Sequence, residues 1–550
     1  MLIVGAGPAG LTAALELSRM RIGVRIVDNL PLRSATPQAV VMGSQTLALL
    51  ERRGVKPEML RDANQVAVGG VYSNGTLLGR VPLTRAESRP HFTLLVRQAE
   101  TERVLGDQLA RQGVTVERAT KVIALARAER DSDGRGDDQE VRCILRHRDG
   151  RLEEVTPPYL ISADGTCSTV RPTLDPSQRV QPARHAYVLA DLQLAGAIPD
   201  DEISIFLGPR GLLAAFPLGA SSFRCLATDP RARSGDRGEP AADDLRDAFA
   251  ECSPLPAKVR HVTWSCRIPA GPRASPVWRR GRIFFGGGSA HAYRPASGQG
   301  MDSGIQDMIN LSWKLAMVLH GEAVPELLQT YSEERNPVIR RVEKSADTAA
   351  DVLGATNPIA HQLVTRIAPY FLDSRFVLRL GADLAGEVIS DCQESSLSAP
   401  ARGKGGLQPG DSVPEIRVVA YDAEARADAR PREMWLHELL DPSQLTLLFA
   451  AATASAAPPA AWQEQIRPSP RIMRAYHISP VSGRQKEQFR FTQAFGGRHG
   501  LLLIRPDSYV GFAGKQNAIP KLAAWLSRWF PAGRGSSALT GAAANSQVTP

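Results

Sequence analysis

Cysteine is scarce and unpatterned in this chain. Six occur in 550 residues, at positions 143, 167, 225, 252, 266 and 392, with no CxxC and no short repeating interval. This argues against a disulfide framework or a zinc site and fits reduced thiols in the cytoplasm. None follows Cys392, which excludes dithiol exchange by the C-terminal part. Long hydrophobic runs are also missing: no stretch of about 18 apolar residues occurs, and no charged, then apolar, then small-residue leader. A membrane span and export are therefore not expected. Net charge is +9, yet no window packs Lys and Arg together with aromatics, so nucleic acid is not the expected partner. The scattered basic residues read as a solvated surface that also attracts an anionic ligand. No catalytic triad, carboxylate pair or metal-ligand cluster is evident.

What is present is a globular composition, 43% hydrophobic and 22% charged, long enough for two to four domains. Past the middle, Ile283 to Phe285 predict a strand running into Gly286, Gly287 and Gly288, then Ser289, Ala290 and His291. Pro295, Gly298 and Gly300 follow, after which Met301, Ile305, Met308, Leu315 and Leu319 recur at helical spacing. Glycines let another molecule approach the backbone, and a helix start offers unpaired N–H groups and a positive dipole end. Together they suit an anionic or electron-rich ligand.

The first residues make this specific. An apolar strand enters Gly5, Gly7 and Gly10 in GxGxxG spacing, with Pro8 and Ala9 between, and a helix runs from Leu11 to Arg19. A second strand ends at Asp28. The glycines permit a tight turn, approach to a pyrophosphate and close strand–helix packing, and Asp28 is placed for a ribose hydroxyl. The motif reads as dinucleotide binding and does not separate FAD from NAD.

Further on, an amphipathic helix carries Gln98 and Arg103, and residues 131–138 form a polar hairpin tip. The strand Tyr159 to Ala163 ends in Asp164-Gly165 before Ser168 and Arg171. Residues 175–276 alternate in hydropathy and predict an inserted antiparallel sheet. The chain is then helical to about residue 391, a linker follows at 402–406, and a third unit ends in a helix with Trp525 and Trp529. An Ala/Pro-rich stretch at 451–460 predicts an exposed loop. Every ligand motif precedes the linker, so a fragment cut there is expected to keep them.

Three fragments in this order (the N-terminal GxGxxG, Asp164-Gly165 and the glycine-rich turn at 286) resemble the flavin-dependent aromatic hydroxylases. These are single-component FAD monooxygenases of the p-hydroxybenzoate hydroxylase fold. Gly298-Gln-Gly-Met301, Gly304-Ile-Gln-Asp307 and Tyr331-Ser-Glu-Glu-Arg-Asn-Pro337 are similar to that family too, and the third unit is similar to the tail of its phenol-hydroxylase branch. The resemblance implies an α/β fold. A Rossmann-type FAD-binding domain (1–174, completed by 277–400 with its helical region) would carry an inserted antiparallel-sheet substrate domain (175–276). A C-terminal thioredoxin-like domain (407–531) and a disordered tail (532–550) would follow. It implies FAD, NADPH or NADH as co-substrate, molecular oxygen and a small phenolic or polycyclic aromatic substrate, hydroxylated through a flavin hydroperoxide. A homodimer is compatible with it.

By position, the resemblance assigns Gly5, Gly7, Pro8, Ala9, Gly10 and Asp28 to the ADP part of FAD, and Gln98 and Arg103 to its ribityl and phosphate side. Asp164 and Gly165 would serve FAD and, indirectly, NAD(P)H. Gly288, Pro295, Gly298 and Gly300 would line the flavin, with Met301 and Asp302 at its pyrimidine edge. Tyr293 and Pro295 would stand nearest the chemistry, while His291 belongs to the fold motif. The chain departs from the family at Gly288, where an Asp is usual, at Gln38, where an Arg is usual, and at Asp302, where an Asn is usual. The missing carboxylate predicts weaker FAD binding, which Gly288→Asp would tighten. These departures motivate a second reading, a relative that has lost cofactor affinity and acts as a binding protein. Trp264-Ser-Cys-Arg-Ile-Pro269 resembles part of a flavin-halogenase motif, but Cys266 stands where its second Trp belongs.

Overall fold

Three short runs, Leu2–Val4, Leu160–Ser162 and Ile283–Phe285, are wholly buried and pair in parallel register. Near-continuous apolar runs of this kind are what a strand covered on both faces requires. Arg25–Val27 and Val116–Glu117 extend the sheet in parallel on one side, and Arg279–Arg280 closes the other edge antiparallel. The helix Pro8–Arg19 follows the first strand directly.

The computed structural model describes residues 1–33, 40–61, 63–73, 75–84, 90–127, 140–166, 168–174, 185–208, 211–229, 240, 245–246, 257–270, 277–291, 300–353, 392–398, 405–422, 431–451, 466, 472–496 and 500–531. The expected hairpin tip at 131–138, the end of the helical region beyond 353, most of the linker, most of the Ala/Pro-rich stretch and the tail from 532 lie outside these residues.

A seven-stranded sheet uses four long strands from the expected insertion, His185–Ala195, Gly211–Pro217, Ser222–Asp229 and Lys258–Ala270, with Ile203–Gly208 beside them. It also takes two strands from much earlier in the chain, Val68–Ser73 and Thr76–Pro82, the first pairing in parallel with Ile203–Gly208. The expected bounds of 175–276 therefore leave out part of this sheet. Gly70 explains why the early strand is inconspicuous. A Cβ there would stand 2.3 Å from Glu202 Oε1 and 2.8 Å from the Tyr72 ring. Glycine is needed for packing at a place where strand propensity disfavours it.

The chain divides into two compact units. One comprises Met1–Ser18, Gly23–Met308 and Asn336–Ile389, and the other Arg19–Ile22, Ile309–Arg335 and Ser390–Pro550. The division falls inside the helix Gly300–Leu319 and between residues 389 and 390, ahead of the expected linker at 402–406. In the second unit, six strands lie in the order Arg432–Trp435, Arg417–Asp422, Met473–Pro480, Leu445–Ala450, Gly500–Ile504, Val510–Lys515. Leu445–Ala450 and Met473–Pro480 are parallel, and every other neighbouring pair is antiparallel.

That unit also buries an ionic cluster. Glu334 accepts from Arg505 Nη1 (2.6 Å) and Nη2 (2.8 Å), Lys314 Nζ (2.8 Å), Asn310 Nδ2 (2.7 Å) and Ser395 Oγ (3.0 Å). Asp507 accepts from Arg505, Asn310 and the Trp313 indole. Burial alone would push the Glu334 carboxyl up, but Arg505 and Lys314 hold it well below the usual carboxylate range. No described helix is long and apolar enough to cross a membrane.

Candidate cofactor site

The three N-terminal glycines have three different surroundings. Gly5 has φ +101°, and a Cβ on it would lie 2.4 Å from the Ala163 carbonyl oxygen. A Cβ on Gly10 would lie 1.9 Å from the Gly5 carbonyl oxygen, so the helix can sit on the turn only without a side chain. Around Gly7 there is nothing within 4 Å. Two glycines are thus closed against protein, and the middle one opens onto space at a helix start with no acidic residue in its first turn. That is a cradle for a diphosphate, which exposed N–H groups and the dipole end attract.

Asp28 braces this turn. Its Oδ2 accepts from Ala6 N (2.6 Å) and its Oδ1 from Leu30 N (2.8 Å), with Arg118 Nη1 3.7 Å from Oδ1. An ionised carboxylate has about four acceptor sites, so capacity for a ribose hydroxyl remains. Pro8 and Ala9 lie in the first turn of the helix. Ala9 meets two other segments: ideal Cβ atoms on Gly287 and Gly304 would come within 3.2 and 3.3 Å of the Ala9 Cβ. Small residues in three distant stretches therefore let the first helix, the turn Gly287–Ser289 and the helix Gly300–Leu319 meet.

Asp164 turns to its own segment. Its Oδ2 accepts from Thr169 N (2.7 Å) and Val170 N (3.3 Å), and its Oδ1 accepts from Ser162 Oγ (2.7 Å). Gly165 takes φ +78°, which a side chain would strain. Arg171 then donates to the carbonyls of Ser289 (3.2 Å) and Ala290 (3.3 Å), wiring the Asp-Gly strand to the glycine-rich turn. His291 is buried, with Nε2 2.7 Å from Asp307 Oδ2, which also accepts from Gly287 N (3.0 Å). Arg171, Gly304 and Asp307 were named within sequence motifs but given no role there. Their spacing carries no signal, because each partner is distant in the chain.

Gln98 opens the helix Gln98–Arg111 and donates to the buried Glu102 (2.8 Å), whose carboxyl burial pushes up. Arg103 lies on the same helix. Its guanidinium is 43% exposed and is paired with Glu100 and Asp107 of its own helix. Gly288 is enclosed: a Cβ there would stand 3.1 Å from Thr166 N and 3.2 Å from Thr166 Cγ2. Gly300 and Met301 begin the long helix, and Met301 is buried. Asp302 was expected to cap that helix or to face a ligand. Instead it is 2% exposed, and its Oδ2 accepts from Gly43 N (2.7 Å). Tyr293, Pro295 and Gly298, like Gln38, lie outside the described residues.

Above the seven-stranded sheet, one face is apolar and incompletely covered. Tyr187, Leu189, Leu207, Leu212, Ala214 and Leu226 are buried there, with half-buried Val71, Phe216, Trp264, Cys266 and Ile268 packed against them. Its polar element is a bidentate pair, Arg224 to Asp191 at 2.7 and 2.9 Å, on directly opposed residues.

The glycine cradle matches the first of two family assignments, an FAD binding domain over residues 1–346. The second is the C-terminal region of aromatic-ring hydroxylases, over residues 409–533. The chain belongs to the FAD-dependent aromatic-ring hydroxylases, and is an oxidoreductase of the monooxygenase kind. It is 30% identical over 537 residues to 6-methylpretetramide 4-monooxygenase of Streptomyces rimosus, covering 96% of this chain and 92% of that one. Pentachlorophenol 4-monooxygenase of Sphingobium chlorophenolicum is 26% identical over 540 residues, covering 93% of each. Among solved structures, the anhydrotetracycline hydroxylase OxyS from Streptomyces rimosus superposes with a TM-score of 0.70 at 25% identity, covering 96% of this chain and 98% of that one.

Proposed function

We propose that this chain hydroxylates a phenolic or polycyclic aromatic compound, using NADPH or NADH and molecular oxygen. The observation that carries the substrate class is the incompletely covered apolar face with Trp264, Phe216 and Ile268. A planar aromatic ring laid there buries apolar area without leaving polar groups unpaired. Relatives named for pentachlorophenol and for fused-ring tetracycline precursors support the same class.

Bound FAD supplies the electron transfer and oxygen activation that no side chain provides. The protein's part is to hold and shield. The open backbone at Gly7 and the following helix start receive the diphosphate, and Asp28 holds the ribose. Asp164 and Arg171 keep the glycine-rich turn in place, while the sheet face excludes water from the substrate. By the family resemblance Tyr293 would face the substrate, and Pro295, Gly298 and Gly300 would line the flavin. In this reading residues 1–174 and 277–400 form a Rossmann-type domain, supported by the parallel strand order around Leu2–Val4. Residues 175–276 form the substrate sheet. Residues 407–531 are thioredoxin-like, supported by a parallel pair flanked by an antiparallel hairpin and helices. The cytoplasm is the expected location, and a homodimer is compatible with this reading.

The test is direct. Purified protein should bind one FAD, and a panel of phenols and fused-ring aromatics should stimulate NAD(P)H oxidation and yield hydroxylated product. Stoichiometric FAD without stimulation by any aromatic would sink the substrate class. Failure to bind FAD would favour the binding-protein reading.

A further inference from the structure

Asp302 is the third residue of the helix Gly300–Leu319, where a carboxylate ordinarily accepts from the helix's own N–H groups or offsets its dipole. Here its hydrogen bond goes across the fold instead, from Gly43 N to Oδ2, with Thr46 also stabilising the carboxylate. The other oxygen, Oδ1, is buried and has no hydrogen-bond partner among the described residues. No described charged side chain reaches it. Thr46 receives Gln306 Nε2 (3.0 Å), and Val41 and Met42 ahead of Gly43 are buried apolar residues. Glu51 ends the facing helix at an exposed position. Asp307, the next carboxylate along the same helix, is occupied by His291 and Gly287.

An unpaired carboxylate in such a place is costly, and the group relieves the cost by keeping its proton. Burial pushes the Asp302 carboxyl up to about 8, against the Gly43 and Thr46 hydrogen bonds that favour the ionised form. A protonated Oδ1 is neutral and adds no negative charge to the helix end.

We propose that Asp302 is a positioning residue that works as a neutral carboxylic acid. While protonated it leaves the positive end of the helix uncompensated for reduced flavin, and on ionising it withdraws that support. The proposal rests on the reading that FAD places its isoalloxazine at this helix end. Reduced flavin carries added negative charge, so a carboxylate appearing in the first turn lowers the potential of the bound cofactor. The helix dipole is equivalent to about half a charge, so one full charge of opposite sign outweighs it.

Two measurements test this separately. In the apoprotein, infrared difference spectroscopy at pH 6.5 should show a protonated-carboxyl band that Asp302→Asn removes and that disappears in wild type as pH rises through about 8. In the FAD-loaded enzyme, the potential should match that of Asp302→Asn at pH 6. It should then fall progressively below the variant's as pH passes 8. Asp302→Ser, which also has no titrating group, should follow Asp302→Asn and serves if that variant folds poorly. Absence of the infrared band would overturn the neutral acid. A band with parallel potential curves would overturn its link to the flavin. Failure to take up FAD would defeat the cofactor placement, and the link with it, while leaving the infrared result standing.

Discussion

At Gly288 two energies act on two different measurements. The usual Asp at this position would add a hydrogen bond between a carboxylate and the cofactor, worth roughly 1.5–3 kcal/mol. In this structure its Cβ would press on Thr166 N at 3.1 Å, Thr166 Cγ2 at 3.2 Å and Gly165 C at 3.3 Å. Overpacking of that kind costs about 1–3 kcal/mol. The strain is present with and without FAD, so Gly288→Asp should lower the melting temperature of the apoprotein, while the added hydrogen bond tightens FAD by about tenfold or more. Gly288→Ala should show the same loss of stability without the carboxylate. An unchanged dissociation constant would mean that the new carboxylate does not reach the cofactor, and an unchanged melting temperature that Thr166 yields freely. The single-residue readings made from sequence divide along a physical line. Gly5, Gly7, Gly10 and Asp28 were readable because their geometry is set within one turn and the next strand. Asp302 was not, because burial by Gly43 and Thr46 leaves no trace in its own neighbourhood. Arg103 was readable in principle, since Glu100 and Asp107 stand at i−3 and i+4, where helical ion pairs form.

At the scale of strands, the C-terminal sheet stacks three rings across neighbouring strands. His477 lies between Tyr421 (centroids 4.9 Å, planes 11° apart) and Phe449 (5.2 Å, 14°), each directly opposite it in register. The histidine is 2% exposed, and its Nε2 is buried without a hydrogen-bond partner among the described residues. Burial lowers its pKa, so the folded chain holds it neutral. The sign follows: the unfolded state binds the proton first, near pH 6.5. The stability associated with the neutral ring is therefore present above that value and is lost as pH falls through it toward the folded value. His477→Phe keeps an aromatic ring and removes the orphan nitrogen, worth roughly 1–3 kcal/mol. The variant should be the more stable, with a gap that widens from pH 7 to pH 5 in denaturant melts. A gap constant with pH would show that the wild-type ring is protonated without penalty. Strands such as Leu445–Ala450 announced themselves by apolar runs. Val68–Ser73 did not, because packing against Glu202 and Tyr72 requires Gly70 where a strand pattern calls for a side chain.

At the scale of the whole chain, the division inside the helix Gly300–Leu319 changes what the linker near 402–406 can mean. Cutting there was expected to leave an N-terminal fragment that keeps every ligand motif. The second unit instead includes Ile309–Arg335, where Lys314 and Glu334 are fully buried with Arg505 and Asp507. Removing one partner of a buried ionic group costs about 3–5 kcal/mol because the remaining charge is stranded. Glu334→Gln should therefore lower the denaturant midpoint substantially. Glu333→Gln, beside it in sequence but exposed to solvent in its contact with Ser396, should have little effect. Equal midpoints for the two variants would show that the cluster is dispensable. Hydropathy marked these helices as buried, but no local pattern says which distant residues neutralise them.

The same cluster has a consequence for how the protein is made. Arg505 lies 171 positions after Glu334. A ribosome adding about 5–20 residues per second therefore completes the helices roughly 10 to 30 s before their partner charges emerge. Throughout that interval the nascent chain holds Lys314 and Glu334 in a segment that cannot yet close over them, so synthesis of the stretch carrying Arg505 and Asp507 sets when that segment can finish folding.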